Sequence, residues 1–135
     1  MIVADASLIM CFAIGQEQAD LADAIYEADN VWVVPLLWRS ELRNALLKYM
    51  RHAGMSLRSG LLALQSAEEV IGGREYRVSS EKVFQLAMGS KCSASDCEYV
   101  ALAMDLDVPL VTADKQILRE FPAIAVSLET FARKT

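Results

Sequence analysis

Apolar and polar positions alternate along this chain in blocks that predict repeated strand–helix units. A short apolar run from Ile2 to Ala4 ends abruptly at Asp5 and reads as a buried strand. A short helix is expected from about Ser7. Residues 17 to 29 predict a helix whose outer face is acidic: Glu17, Asp20, Asp23, Glu27 and Asp29. Val31 to Val34 predict a second strand. Pro35 then suits the first turn of a helix, where its missing N–H costs nothing. That helix carries Trp38, Leu42, Ala45, Leu46 and Tyr49 on its apolar face and runs to about Ala53, before Gly54. Another covers roughly 56 to 70 and stops at Gly72-Gly73. Arg74 to Val78 predict an edge strand, and Ser79-Ser80 cap a helix reaching about Met88. A helix from about Ser93 to Leu106 leads into a fourth strand, Val108 to Val111. A short helix follows Asp114, Ile124 to Val126 predict a fifth strand, and a C-terminal helix closes the pattern.

Strand and helix in regular alternation imply an α/β fold with a parallel sheet covered on both faces. Residues 1–135 carry no linker, internal repeat or low-complexity tract, so a single domain is expected. In such sheets the ligand crevice lies at the carboxyl ends of the strands, near the point where strand order reverses.

Composition narrows this picture. The chain is 54% hydrophobic with a mean hydropathy of +0.26, which excludes a disordered segment and leaves apolar surface for a partner or a second copy. A net charge of −5 argues against a broad electrostatic nucleic-acid binder, so any basic contact with RNA must be local. Three cysteines, Cys11, Cys92 and Cys97, lack CxxC spacing; they are expected as buried, reduced thiols in a cytoplasmic protein. His52 is the only histidine, which leaves almost no material for a histidine metal site or a Ser-His-Asp triad. The opening MIVADASLIMCFAIG is apolar, but it has no positive leading region and carries Asp5, so neither a signal peptide nor a membrane span is expected.

Two acids, Asp5 and Asp114, fall where the crevice is expected, and Glu41 and Asp96 are further candidates. Asp5 closes the first strand and Asp114 follows the fourth, although each position also suits a helix N-cap. Glu41 lies three residues after Trp38 and four before Ala45, on or beside the apolar face of its helix. A carboxylate there costs several kcal/mol unless it is paired or metal-bound. Its neighbours Arg39 and Arg43 point elsewhere on a helix. Asp96 lies in a first turn, where Ser93 with Asp96, or Ser95 with Glu98, would form a capping box. It also aligns with Val100 and Ala103, which would turn it inward. Gathered together, these carboxylates would raise one another's pKa and would need a cation. An all-oxygen ligand set selects Mg²⁺ or Mn²⁺, and such a site serves phosphodiester hydrolysis.

With VADAS at the start, RSELRNALLKY in the middle and SDCEYVALAMDLDVPLVTAD near the end, the chain resembles the PIN-domain family, and within it the VapC-like toxins of type II toxin–antitoxin pairs. The resemblance implies a three-layer α/β/α fold with a five-stranded parallel sheet and cleavage of single-stranded RNA with Mg²⁺ or Mn²⁺. It places the catalytic, metal-binding acids at Asp5, Glu41, Asp96 and Asp114. It implies a supporting hydroxyl, for which Ser7 and Thr112 match; ordinary roles as helix cap and strand residue stand beside this. A cognate antitoxin covering a hydrophobic groove and a homodimer are implied as well. The sequence departs from the family where an aromatic often precedes the third acid: Ser95 stands there, followed by Cys97 and Glu98, and Glu98 becomes a further candidate for the site.

Arg39, Arg43, Lys48, Arg51 and Arg58 cluster with His52, either as a solvated face or as contacts to an RNA backbone, with Arg43 the best single candidate. Trp32 and Trp38 suit either the core or an interface. Two other readings share the fold class. An aspartyl-phosphate phosphatase needs a second acid two positions after Asp5, where Ser7 stands. A receiver domain needs an acceptor Asp after a central strand, where Pro35-Leu36-Leu37-Trp38 stands. A non-catalytic PIN-like module binding RNA or protein is the remaining alternative, disfavoured by the presence of all four acids.

Overall fold

The computed structural model describes residues 1–15 and 18–134. Among them, five strands and eight helices alternate: β1 (Ile2–Ala4), α1 (Ala6–Ile14), α2 (Ala19–Ala28), β2 (Trp32–Pro35), α3 (Trp38–His52), α4 (Leu57–Ile71), β3 (Glu75–Tyr76), α5 (Ser80–Met88), α6 (Ala94–Leu106), β4 (Leu110–Thr112), α7 (Lys115–Glu120), β5 (Ala125–Ser127) and α8 (Leu128–Lys134). The expected acidic helix is α2; Glu17, assigned to it from sequence, lies outside the described residues.

The strands form one sheet in the order β3-β2-β1-β4-β5, with every pairing parallel. Period-two alternation sends side chains to opposite faces. Ile2, Ala4, Trp32, Val34 and Val111 join the core beneath α1, α2, α3, α4 and α8. Val3, Val33, Leu110 and Ala125 join a second core beneath α5, α6 and α7. This is the three-layer α/β/α arrangement the alternation predicts, and strands covered on both faces explain their unbroken apolar runs. Order reverses between β1 and β4, so the switch-point crevice opens beyond Ala4 and Thr112.

The two layers are built differently. Helix α6 buries Cys97, Tyr99, Val100, Ala101, Leu102 and Ala103 in near-continuous sequence. It packs on β1, β2 and β4 and is itself covered by α5, so it has no wet stripe to speak of. Helices α3 and α4 are amphipathic, and they approach closely where Gly60, buried, faces the Met50 side chain. No helix among the described residues is long and apolar enough to cross a membrane.

Several boundaries differ from the sequence reading. Pro35 is not in the first turn of a helix; it is the last residue of β2, in register with Tyr76, and α3 starts at Trp38. A strand end tolerates the missing donor as well as a helix start does. The edge strand shrinks to two residues, Glu75–Tyr76. The fourth strand runs from Leu110 to Thr112 rather than from Val108, because Val108 N–H closes α6 onto Ala103 O instead. Trp32 and Trp38 are core residues and no interface: they are 0% and 1% exposed, and their indole N–H groups donate to Asp29 O and to the Glu75 carboxylate.

Candidate metal centre

Asp5 sits one residue past β1 and is 7% exposed. Its carboxylate Oδ2 accepts from Ser7 Oγ at 2.7 Å and from Thr112 Oγ1 at 2.8 Å. Each hydroxyl is itself fixed by a backbone donor. Ala113 N–H donates to Ser7 Oγ at 2.9 Å, and Asp114 N–H donates to Thr112 Oγ1 at 2.9 Å. The ends of β1 and β4 are thereby stitched through one oxygen. Thr112 is 0% exposed, so it is no ordinary β-branched strand residue: its hydroxyl is fully used. Burial pushes the Asp5 carboxyl above its usual range, and the hydrogen bonds from Ser7 and Thr112 pull it partly back.

Glu41 projects from the first turn of α3, half-buried. It makes no ion pair with Arg39 or Arg43. Its Oε1 accepts from Tyr99 Oη at 2.6 Å. Tyr99 belongs to α6, on the opposite layer, so this bond crosses the carboxyl edge of the sheet. Burial raises the Glu41 pKa; the Tyr99 hydroxyl lowers it, and the charges of Asp5, Asp96 and Glu98 raise it again. The Tyr99 phenol is pushed far up by burial and by Glu41, and it stays a donor. Sequence reasoning missed Tyr99. The available signal was a tyrosine inside an otherwise small-residue and aliphatic helix, since a buried phenol finds a partner.

Asp96 is half-buried in the first turn of α6. The local explanation holds for its backbone: Ser93 caps the helix and accepts from Asp96 N–H at 3.1 Å. Its side chain nevertheless acts on Glu41 electrostatically. Glu98, half-buried, does the same, and burial raises its own carboxyl. Asp114 caps α7, its Oδ1 accepting from Gln116 N–H at 2.8 Å and Ile117 N–H at 3.0 Å. It is joined to Asp5 through Thr112 rather than directly.

The structure therefore puts Asp5, Asp96 and Glu98 within electrostatic reach of Glu41, and links the Asp114 backbone to Asp5 through Thr112. Among the described residues none of these acids has an ion-pair partner. No three His, Cys, Asp or Glu side chains among the described residues stand close enough to cage a metal ion as they are placed. What fits a hard divalent cation is the donor chemistry: oxygen ligands only, like charges that raise Glu41, and no ion pair with lysine or arginine among the described residues.

Arg43 is not brought to the acids. It is exposed and lines a groove between α3 and α4 with Leu47, Met50, Leu61 and Leu64. Arg39 is used structurally, pairing with Glu68 and Glu75 at 3.0 Å each and lying over the Trp38 ring. The three cysteines are free; Cys92 and Cys97 are buried, and Cys11 is half-buried rather than fully enclosed. Burial pushes the Cys92 thiol up to about 11.

Fold and site together define a three-layer α/β/α protein with an acidic crevice at its switch point. Among solved structures the chain is similar to PAE2754 from Pyrobaculum aerophilum, whose crystal structure aligns with a TM-score of 0.75 over 99% of this chain and 97% of that one. Identity is 22%, and the likeness shows the fold. No protein family matches the chain by sequence, and no curated protein matches it.

Proposed function

We propose that the protein is a Mg²⁺- or Mn²⁺-dependent endoribonuclease of the PIN-domain, VapC-like type, cleaving phosphodiester bonds of single-stranded RNA. The observation that carries this reading is that Asp5, Asp96 and Glu98 all lie within electrostatic reach of Glu41 at the switch-point edge, none of them in an ion pair among the described residues. Asp5, Glu41, Asp96 and Asp114 would hold the metal. When bound, the ion supplies charge neutralisation at the phosphate and a more acidic water. The chain's own residues divide the rest. Ser7 and Thr112 hold Asp5 in one orientation. Tyr99 fixes the orientation of Glu41 by donating to its Oε1. Asp114 closes the edge from β4 while capping α7.

A cytoplasmic location and a protein antitoxin belong to the same reading. Exposed Leu47, Leu57, Leu61 and Leu62 lie along α3 and α4, an apolar surface of the kind an antitoxin or a second copy of the chain would cover.

The test is incubation of purified, antitoxin-free protein with single-stranded RNA and Mg²⁺ or Mn²⁺. Cleavage is expected, and it is expected to vanish in EDTA and in Asp5→Asn. Cleavage that survives either control overturns the metal-nuclease reading. RNA binding without any cleavage would favour the non-catalytic module.

A further inference from the structure

Next to the acids lies a cleft of about 350 Å³ between β3, the start of α5 and the start of α6. Leu36, Tyr76, Arg77, Ser80, Phe84 and Glu98 line it. Glu98 is shared: it borders this cleft and also raises Glu41 in the acidic site. The residue after Glu98 on α6 is Tyr99, which donates to Glu41 at 2.6 Å, so the cleft adjoins the acidic edge. Phe84 is 64% exposed, an unusual placement for a ring on a helix whose inner residue, Val83, is buried. Arg77 is exposed and forms no ion pair among the described residues. It is the cation among the residues lining the cleft, as Glu98 is the carboxylate.

Building on the ribonuclease reading, we propose that this cleft is a nucleotide subsite: it holds one unpaired nucleotide flanking the cleaved bond, with its base stacked on Phe84 and its phosphate against Arg77. The volume falls in the range of small-ligand sites, roughly 300–1,000 Å³, and at its lower end, where a single nucleoside fits. Aromatic rings beside a lone cation are the means by which proteins hold single strands without reading a duplex. The adjoining carboxylates repel a phosphate, so Arg77 sets which side of the cleft the backbone occupies. Accordingly Phe84 is a substrate-positioning residue and takes no part in the bond-breaking step.

The experiment measures binding apart from cleavage. Labelled single-stranded RNA is titrated by fluorescence anisotropy against protein carrying Asp5→Asn as a common background, so that no strand is cut. Adding Phe84→Ala should weaken binding at least tenfold, within the loss expected for one stacked base. Arg77→Met should reduce the slope of log affinity against log salt by roughly 0.7, one single-strand phosphate contact. Phe84→Trp should keep the affinity, and its emission should be quenched by RNA; the two native tryptophans are buried out of reach of RNA, so the RNA-dependent loss of emission relative to the Phe84 protein reports on the new ring. Unchanged affinity in Phe84→Ala, or unquenched emission in Phe84→Trp, overturns the subsite. So does a change in sedimentation of Phe84→Ala with RNA affinity intact, which would make the surface a protein interface. The two readings fail separately. Cleavage with an unchanged KM in Phe84→Ala, in the otherwise wild-type protein, removes the subsite and leaves the nuclease. Stacking at Phe84 with no metal-dependent cleavage removes the nuclease and leaves the subsite.

Discussion

Replacing Asp5 by asparagine should stabilise the metal-free protein at neutral pH while destroying its metal response. Asp5 is 7% exposed and takes hydroxyl donors from Ser7 and Thr112 on a single oxygen, Oδ2. An amide oxygen can occupy the place of Oδ2, so both bonds survive the change. They weaken, since a bond to a charged acceptor is worth about 1.5–3 kcal/mol and a neutral one about 0.5–1.5. Against this, the effective cost of burying an ionised carboxylate is several kcal/mol, and Asp5 also repels Glu41. The net expectation is a gain of about 1 kcal/mol, or about 3 °C in Tm for a domain of this size. The assay is thermal unfolding by circular dichroism in EDTA at pH 7.5. Acidification supplies the sign. Because burial raises the folded Asp5 pKa above the ordinary value of 3.8, the wild type is penalised at high pH and relieved as pH falls through the raised value. The gap between the two proteins should therefore close toward pH 4. Adding Mg²⁺ at pH 7.5 should raise the wild-type Tm, by about 2.7 kcal/mol of stability at a hundredfold excess over Kd, and leave Asp5→Asn unmoved. An asparagine variant less stable by more than about 1 kcal/mol, or a gap that widens on acidification, would refute the claim that Asp5 is a strained, charge-burdened group.

Three further expectations use the same edge. Tyr99→Phe removes the donor to Glu41 and should cost about 1.5–3 kcal/mol at neutral pH, read by urea unfolding. It should also move the acidic limb of any pH–activity profile upward, since that hydroxyl lowers the Glu41 pKa. Asp114→Ala loses the cap of α7 and should lower stability by about 1 kcal/mol. Asp114→Asn keeps the cap, so loss of RNA cleavage in that variant with Tm unchanged separates a ligand from a cap. Thr112→Val deletes the hydroxyl that links Asp5 to Asp114 N–H in a fully buried position; a loss of about 1–3 kcal/mol is expected in chemical unfolding, with reduced cleavage.

Much of the architecture was legible because both faces of the sheet are buried. Short apolar runs such as Ile2–Ala4 and Val108–Val111 have few other homes in a chain of this length. Boundaries moved where a residue suits two states equally, as Pro35 does at a strand end and a helix start. Glu41 could be placed because an acid beside Trp38 and Leu42 has a visible physical cost. Its partner could not, since Tyr99 lies 58 positions away in another layer, and no local pattern encodes a contact across the sheet edge. Asp96 and Asp114 read as caps because each does stand at a helix start, Asp114 as the cap itself and Asp96 as the residue Ser93 caps. Their place beside the other acids follows from topology. Arg43 illustrates the reverse. Two positions from Glu41 in sequence, it turns toward α4, because residues two apart on a helix do not share a face.

The stitch of Asp5 to Ser7 and Thr112 also has a consequence in time. Its components are separated by 107 positions, and β4 must insert beside β1 before the second hydroxyl reaches Asp5. During synthesis, Asp5, Glu41 and Asp96 all leave the ribosome ahead of Thr112. The acidic edge is thus completed only when the last strands pair, and a partly made chain cannot hold Asp5 in its working orientation. Under the ribonuclease proposal, such late assembly would keep the growing polypeptide from cutting the message to which it is still attached.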